Sequence, residues 1–186
     1  MREKILEASI RLFNKKGLKF TMDDIANELS ISKKTIYTVF RDKEAMLYSM
    51  VDFCFDNIAK TKKGILEDEN LSTRDKIRNI LVAMPDSYQD IDFSQLYNLR
   101  DKFPKIYARV EKRLEPEWEE TIALLNRGME EGVIRKVSIP ILKAMLEASL
   151  ERFFQRDTLV VNEISYKDAL QQVLEILLWG IEEREL

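Results

Sequence analysis

A chain of 186 residues has room for one domain or two small ones, and 45% hydrophobic and 34% charged content with only five Gly and four Pro excludes disordered, collagen-like and disulfide-stapled classes. With no histidine and one cysteine, Cys54, histidine triads, histidine-containing zinc sites and an intrachain disulfide are excluded as well. The net charge of −3 is uneven: residues 1–45 carry ten Lys and Arg against seven Asp and Glu, and the remainder is acidic by six, a mildly basic module joined to an acidic body.

The start of the chain is charged (Arg2, Glu3, Lys4), and no uncharged apolar run nears the ~18 residues of a membrane span. The expectation is neither leader nor anchor, and a cytoplasmic address. From about Arg2 to Lys16, Ile5, Leu6, Ser9, Leu12 and Phe13 share one helical face, and Gly17 ends the helix. Thr21 is placed to cap a second helix, with Asp24 three residues on as a shortened capping box and a stripe of Met22, Ile25, Ala26 and Leu29.

After a turn of about three residues, Ser32 caps a third, short helix, and Ile31 and Ile36 are spaced for a hydrophobic staple. Ile36 and Phe40 point inward, leaving Lys33, Lys34, Tyr37 and Thr38 outward. Asp42 caps a fourth helix running through Met46, Leu47, Met50, Val51 and Cys54.

The rest of the chain also reads as helices. Ile77, Ile80, Leu81 and Met84 form a stripe stopped by Pro85; a shorter segment lies near Phe93 to Leu99; Ile106, Val110 and Leu114 mark another. Pro116 opens a helix expected to bury Trp118, Ile122, Leu125 and Met129 and to end at Gly132. Ser138 caps one with Leu142, Met145, Leu146 and Phe153, and Ser165 caps one running to about Glu183. That last helix has an apolar band wider than a surface helix needs, so one face requires a partner outside the monomer core.

A two-turn helix, a tight turn and a second short helix with basic and polar residues outward is the helix-turn-helix arrangement, whose second helix enters the major groove. The stretch Ile5 to Leu47 resembles the amino-terminal signature of the TetR/AcrR family of transcriptional regulators. The resemblance lies in the Leu12-Phe13 pair, Gly17, Thr21, Asp24-Ile25-Ala26, Ser32, Thr35-Ile36-Tyr37, Phe40 and Lys43-Glu44. It is strong over the first quarter of the chain and continues only in helix count and in Gly128 to Arg135, similar to the family's lead into its penultimate helix. Three residues depart from the pattern: Ser30 for the usual turn glycine, Lys34 for a small residue and Val39 for an aromatic.

The resemblance implies an all-α protein of about nine helices: a DNA-binding domain over 1–45 and a ligand-binding and dimerisation domain over 46–186. The implied homodimer pairs through the last two helices, about 138–155 and 166–184. Its partners would be double-stranded operator DNA and a small-molecule effector, with no cofactor and no enzymatic activity. The rival reading is a helical small-molecule-binding or adaptor protein that no longer binds DNA.

Roles follow from chemistry too. Lys33 and Lys34 can reach guanine O6/N7 or a phosphate, and Thr35, Tyr37 and Thr38 offer hydroxyls to phosphates or bases. Tyr37 occupies the position that the family uses for backbone contact. Lys43, beside the free N–H groups of the fourth helix, reads as a phosphate clamp. Met84, Tyr88, Phe93, Tyr97, Tyr107, Trp118 and Phe153 either line an effector cavity or simply fill the core. Cys54 reads as a small core residue, and the Glu67-Asp68-Glu69 and Glu130-Glu131 stretches as solvated surface without metal.

Overall fold

The apolar period of the first sixteen residues winds into α1 (Arg2–Lys16), with Ile5, Leu6, Ser9, Leu12 and Phe13 all buried as the period requires. In the computed structural model, which describes residues 1–83, 85, 94–114, 118–155, 158–162 and 164–179, α1 ends where Gly17 turns to φ 56°. That left-handed region suits a residue without Cβ. Buried Ser9 satisfies its hydroxyl on the Ile5 carbonyl at 2.6 Å.

A 3₁₀ turn (Gly17–Lys19) leads to α2 (Met22–Leu29) and α3 (Lys33–Val39). Both start as their caps predict. The Thr21 hydroxyl accepts from the Asp24 N–H while the Asp24 carboxylate accepts from the Thr21 N–H, a closed capping box. The Ser32 hydroxyl accepts from the Thr35 N–H at 3.0 Å. Between them Ser30 stands at φ 52°, ψ 42°, and its N–H and that of Ile31 return to the Asn27 and Ala26 carbonyls. This is a Schellman turn made with serine where the φ favours glycine. Ile31 and Ile36, the expected staple pair, both pack in the same core.

Asp42 caps α4 (Lys43–Glu67), which at 25 residues is about 37 Å long and far outruns Cys54. The expected division between residues 45 and 46 falls inside it. Beyond α4 come α5 (Thr73–Leu81), α6 (Ser94–Lys102), α7 (Pro104–Leu114), α8 (Glu119–Glu130), α9 (Ile139–Gln155), α10 (Thr158–Val161) and α11 (Tyr166–Trp179). The described residues thus hold eleven α-helices and no β-strand, against about nine helices expected, the shortest α-helix being the single turn α10.

Two cores result. The first gathers the buried faces of α1 to α4 with Leu99 of α6 and Ile106 and Val110 of α7; half-buried Cys54 packs against it. The second joins Ile77 and Ile80 of α5, Leu124 and Leu125 of α8, Ile134, and the inner faces of α9 and α11. α4 serves both, burying Met46, Leu47, Met50 and Val51 in the first and laying Leu66 against the second. Arg109 and Arg113 of α7 each meet a carboxylate of α4, Asp52 and Asp56, at 2.7 Å.

α8 differs from expectation. Its inward face is Thr121, Leu124, Leu125 and Gly128, while Trp118, Ile122 and Met129 are only half-buried beside it. The stripe turns because α5 crosses close over Gly128, where a Cβ would stand 2.6 Å from Ile77 Cδ1 and 3.3 Å from Ile134 Cγ1. Side chains flanking a contact that close are pushed to its margins. α11 begins at the Ser165 cap as expected, and its predicted extension to Glu183 lies outside the described residues.

Two stability predictions follow. Ser30→Gly removes the Cβ from a left-handed position and raises unfolding free energy by about 0.5–1 kcal/mol in urea titration; an unchanged or lower midpoint would show that the serine costs nothing there. Gly128→Ala loses about 1–3 kcal/mol through overpacking, despite roughly 1 kcal/mol of better helix propensity. Ile77→Val, which deletes the clashing Cδ1, makes the double variant more stable than the two single losses would sum to.

Candidate nucleic-acid interface

Seven residues make too short a helix to stand alone, so neighbours hold α3. Ile36 is fully buried and Phe40, its C-cap, nearly so, which fixes the rotation of the helix about its axis. Lys33, Lys34, Tyr37 and Thr38 therefore face solvent, Tyr37 with 46% of its surface exposed. Four of the six residues singled out for DNA binding thus share one open surface.

Their freedom differs. The Lys33 ammonium donates to Asp23 of α2 at 2.7 Å, and that carboxylate raises the lysine's pKa above its ordinary value. Lys34 is exposed, and no described residue holds its ammonium. Thr38 donates to the Thr35 carbonyl at 2.7 Å and so turns acceptor lone pairs outward. Thr35 is half-buried, its hydroxyl 2.8 Å from that of Ser32, so it secures the helix start and is set back from the open face.

Lys43 does not join this surface as the phosphate clamp its position suggested. Its ammonium turns inward, donating to the Leu18 carbonyl at 2.7 Å and to the Phe20 carbonyl, with the Phe20 ring centroid 4.3 Å away. Burial lowers its pKa. The partners lie 25 and 23 residues away in sequence, which no local pattern reveals.

Arg41 is the cation that sequence reasoning passed over. It lies between α3 and α4, 84% exposed, with a 2.9 Å contact to Asp42. The available signal was its place directly before a helix cap, beside the N–H groups of the first turn of α4. On α2, acidic residues hold further cations: Asp24 takes Lys16 and Glu28 takes Arg11, both at 2.7 Å.

Of the aromatic and methionine residues proposed for an effector, Met84, Tyr88 and Phe93 lie outside the described residues, as does the side chain of Tyr97. Tyr107 packs against the first core; Trp118 packs against the second, with the Lys143 ammonium 5.7 Å from its ring; Phe153 is half-buried on α9. Tyr107 and Trp118 thus belong to different cores. No group of three or more metal-ligating side chains occurs among the described residues.

Residues 5–50, which carry this surface, match the family model of bacterial regulatory proteins, tetR family. The reading head thus carries the tetR-family DNA-binding domain. Over 181 residues, 97% of this chain and 95% of the relative, it is 23% identical to YvaF, an uncharacterized HTH-type transcriptional regulator of Bacillus subtilis. It is 26% identical, over 59% of its length and 53% of the relative's, to IcaR of Staphylococcus aureus, the HTH-type negative regulator of the biofilm operon icaADBC. In fold, the chain resembles a transcriptional regulator of Saccharomonospora viridis solved in complex with choline, with a TM-score of 0.73, 20% identity and 98% of each chain covered.

The capping box gives the reading head a pH dependence. Asp24 is held at a pKa of about 2, below its ordinary 3.8, first by the Lys16 hydrogen bond and then by the Thr21 N–H and hydroxyl. A lowered carboxylate pKa means stability fully present above about pH 4 and lost as pH falls through about 2. Asp24→Asn should be less stable than the parent at pH 7, with the gap closing between about pH 4 and 2. Chemical unfolding at several pH values reads this directly, and a gap that stays constant with pH would refute it.

Proposed function

We propose that this chain is a ligand-responsive TetR-family transcriptional repressor that acts in the cytoplasm, binds a palindromic operator as a homodimer and is released by a small molecule. The observation that carries the reading is the open face of α3, where Lys34, Tyr37 and Thr38 are exposed on a helix braced from behind by Ile36 and Phe40. In the complex, Lys34 and Tyr37 contact bases or phosphates, Thr38 accepts from base donors in the groove, and Lys33 joins them when it leaves Asp23. Arg41 adds a phosphate contact. Contacts to phosphate set the register, and contacts to base edges choose the sequence.

The dimer is supported by apolar surface on the helices expected to pair. Ile141 and Met145 of α9, one turn apart, are 61% and 50% exposed, and Ile176 of α11 is 74% exposed. A second copy covering them across a twofold axis would have to set the two recognition helices about one DNA turn apart, ~34 Å, to read both half-sites. Negative regulation by IcaR supports repression, and the choline complex of the S. viridis regulator supports a small organic effector. Among the described residues Tyr107, Trp118 and Phe153 remain the candidates to meet it. No described helix is long and apolar enough to cross a membrane.

Gel-shift titration on the DNA upstream of its own gene tests the reading. Binding should fall log-linearly with salt, by about 0.9 in slope per neutralised phosphate. Each of Lys34→Ala and Tyr37→Ala should cost about 1–3 kcal/mol if it removes a base contact, a tenfold or larger rise in Kd. Undiminished binding by the Lys34→Ala/Tyr37→Ala pair would overturn the assigned surface, and no binding by the parent on any upstream fragment would leave the adaptor reading.

A further inference from the structure

Lys43 is the first residue of α4, three residues after Phe40 closes the recognition helix. Its ammonium reaches back across the fold to the link between α1 and α2. There the helical carbonyl ladder breaks at the Gly17–Lys19 turn, and carbonyls at such a break need donors from elsewhere. Lys43 supplies two N–H groups, to the Leu18 carbonyl at 2.7 Å and to the Phe20 carbonyl, and places its charge over the face of the Phe20 ring, which is itself fully buried.

We infer that Lys43 is a positioning residue for the recognition helix, tethering the head of α4 to the α1–α2 link, and that it acts on DNA binding through the pose of α3 with no phosphate contact of its own. The inference rests on the DNA-binding reading above. Three features of the geometry support it. To serve a phosphate, the ammonium would have to abandon two charge-assisted hydrogen bonds, stronger than neutral ones, and leave two carbonyls of the link unpaired. The site is partly dehydrated, and burial is the main influence on the ammonium, ahead of attraction from Asp24 and repulsion from Lys102 of α6. And the same turn that receives Lys43 is packed by α6, so the tether lies where body and reading head meet.

The tether and the clamp differ in two measurements on the full chain. In the DNA-free protein, trace acetylation followed by peptide mass spectrometry should modify Lys43 well after the exposed Lys34; equal rates would overturn the tether whether or not the protein binds DNA. Lys43→Met keeps the aliphatic stem against Phe20 and deletes the donors, and should lower the melting temperature by about 4–8 °C; an unchanged melt would also overturn it. On a duplex from the upstream region of its own gene, the variant should bind more weakly by a constant factor at every salt concentration, giving lines parallel to the parent. A slope shallower by about 0.9 per subunit is the signature of a lost phosphate contact and would overturn the inference, as would unchanged affinity. If the parent binds no DNA the regulator reading fails, and acetylation and melting still decide the tether.

Discussion

Met46, Leu47, Met50 and Val51 can leave water only if the reading head and the body close on the same helix, since the core that buries them takes residues from α1 to α4 on one side and from α6 and α7 on the other. Full burial of side chains of this size is worth roughly 1.5–3 kcal/mol each. The ion pairs along the same seam, Arg109 with Asp52 and Arg113 with Asp56, are partly solvated and belong to a class worth about 0–1 kcal/mol. Apolar burial therefore holds α4 in place, and the pairs orient α7 along it. The recognition helix inherits its position from this arrangement, being joined to α4 by the three residues Phe40, Arg41 and Asp42.

The electrostatics of the head follow a similar division between what is counted and what is free. Residues 1–45 have an excess of three positive charges, yet α2 presents Asp23, Asp24 and Glu28 to Lys33, Lys16 and Arg11. With Lys43 turned inward as well, Lys34 is the cation of the α3 face that meets no described carboxylate, with Arg41, 84% exposed beside Asp42, next to it. A small excess can attract a polyanion when its positive members are unmasked on one face, which is why the overall charge of −3 was a poor guide to partners.

What could be read from the chain beforehand divides along the same physical line. The bounds of α1, the Thr21 capping box, the Ser32, Asp42 and Ser165 caps and the outward set on α3 all depend on residues within about one turn of each other, and spacing alone specifies them. The Lys43 tether spans more than twenty residues, and the Arg109 and Arg113 pairs span 57. The inward face of α8 was misjudged because hydrophobicity favoured Trp118, Ile122 and Met129, whereas closeness of approach favoured Gly128. A glycine inside a helical pattern was the available sign that another element crosses there. Ser30 was legible as a departure, but its left-handed backbone became visible only with the Schellman bonds to Ala26 and Asn27.

The construction constrains how an effector could act. A molecule held among the body helices changes DNA affinity only by its difference in affinity between two placements of the heads, however tightly it binds either one. Close-packed cores resist continuous deformation, so those placements must be distinct packings. α4 buries its amino-terminal half in one core and lays Leu66 against the other, so a repacking of α5, α8, α9 or α11 that displaced Leu66 would tilt α4 as a lever with the recognition helix at its far end. Over about 37 Å, a tilt of a few degrees moves that end by roughly 2 Å, comparable with the interface helix shifts of known switches. An effector therefore need not reach the first core to alter the fit of paired heads to a duplex; a change at the Leu66 end of the helix is sufficient.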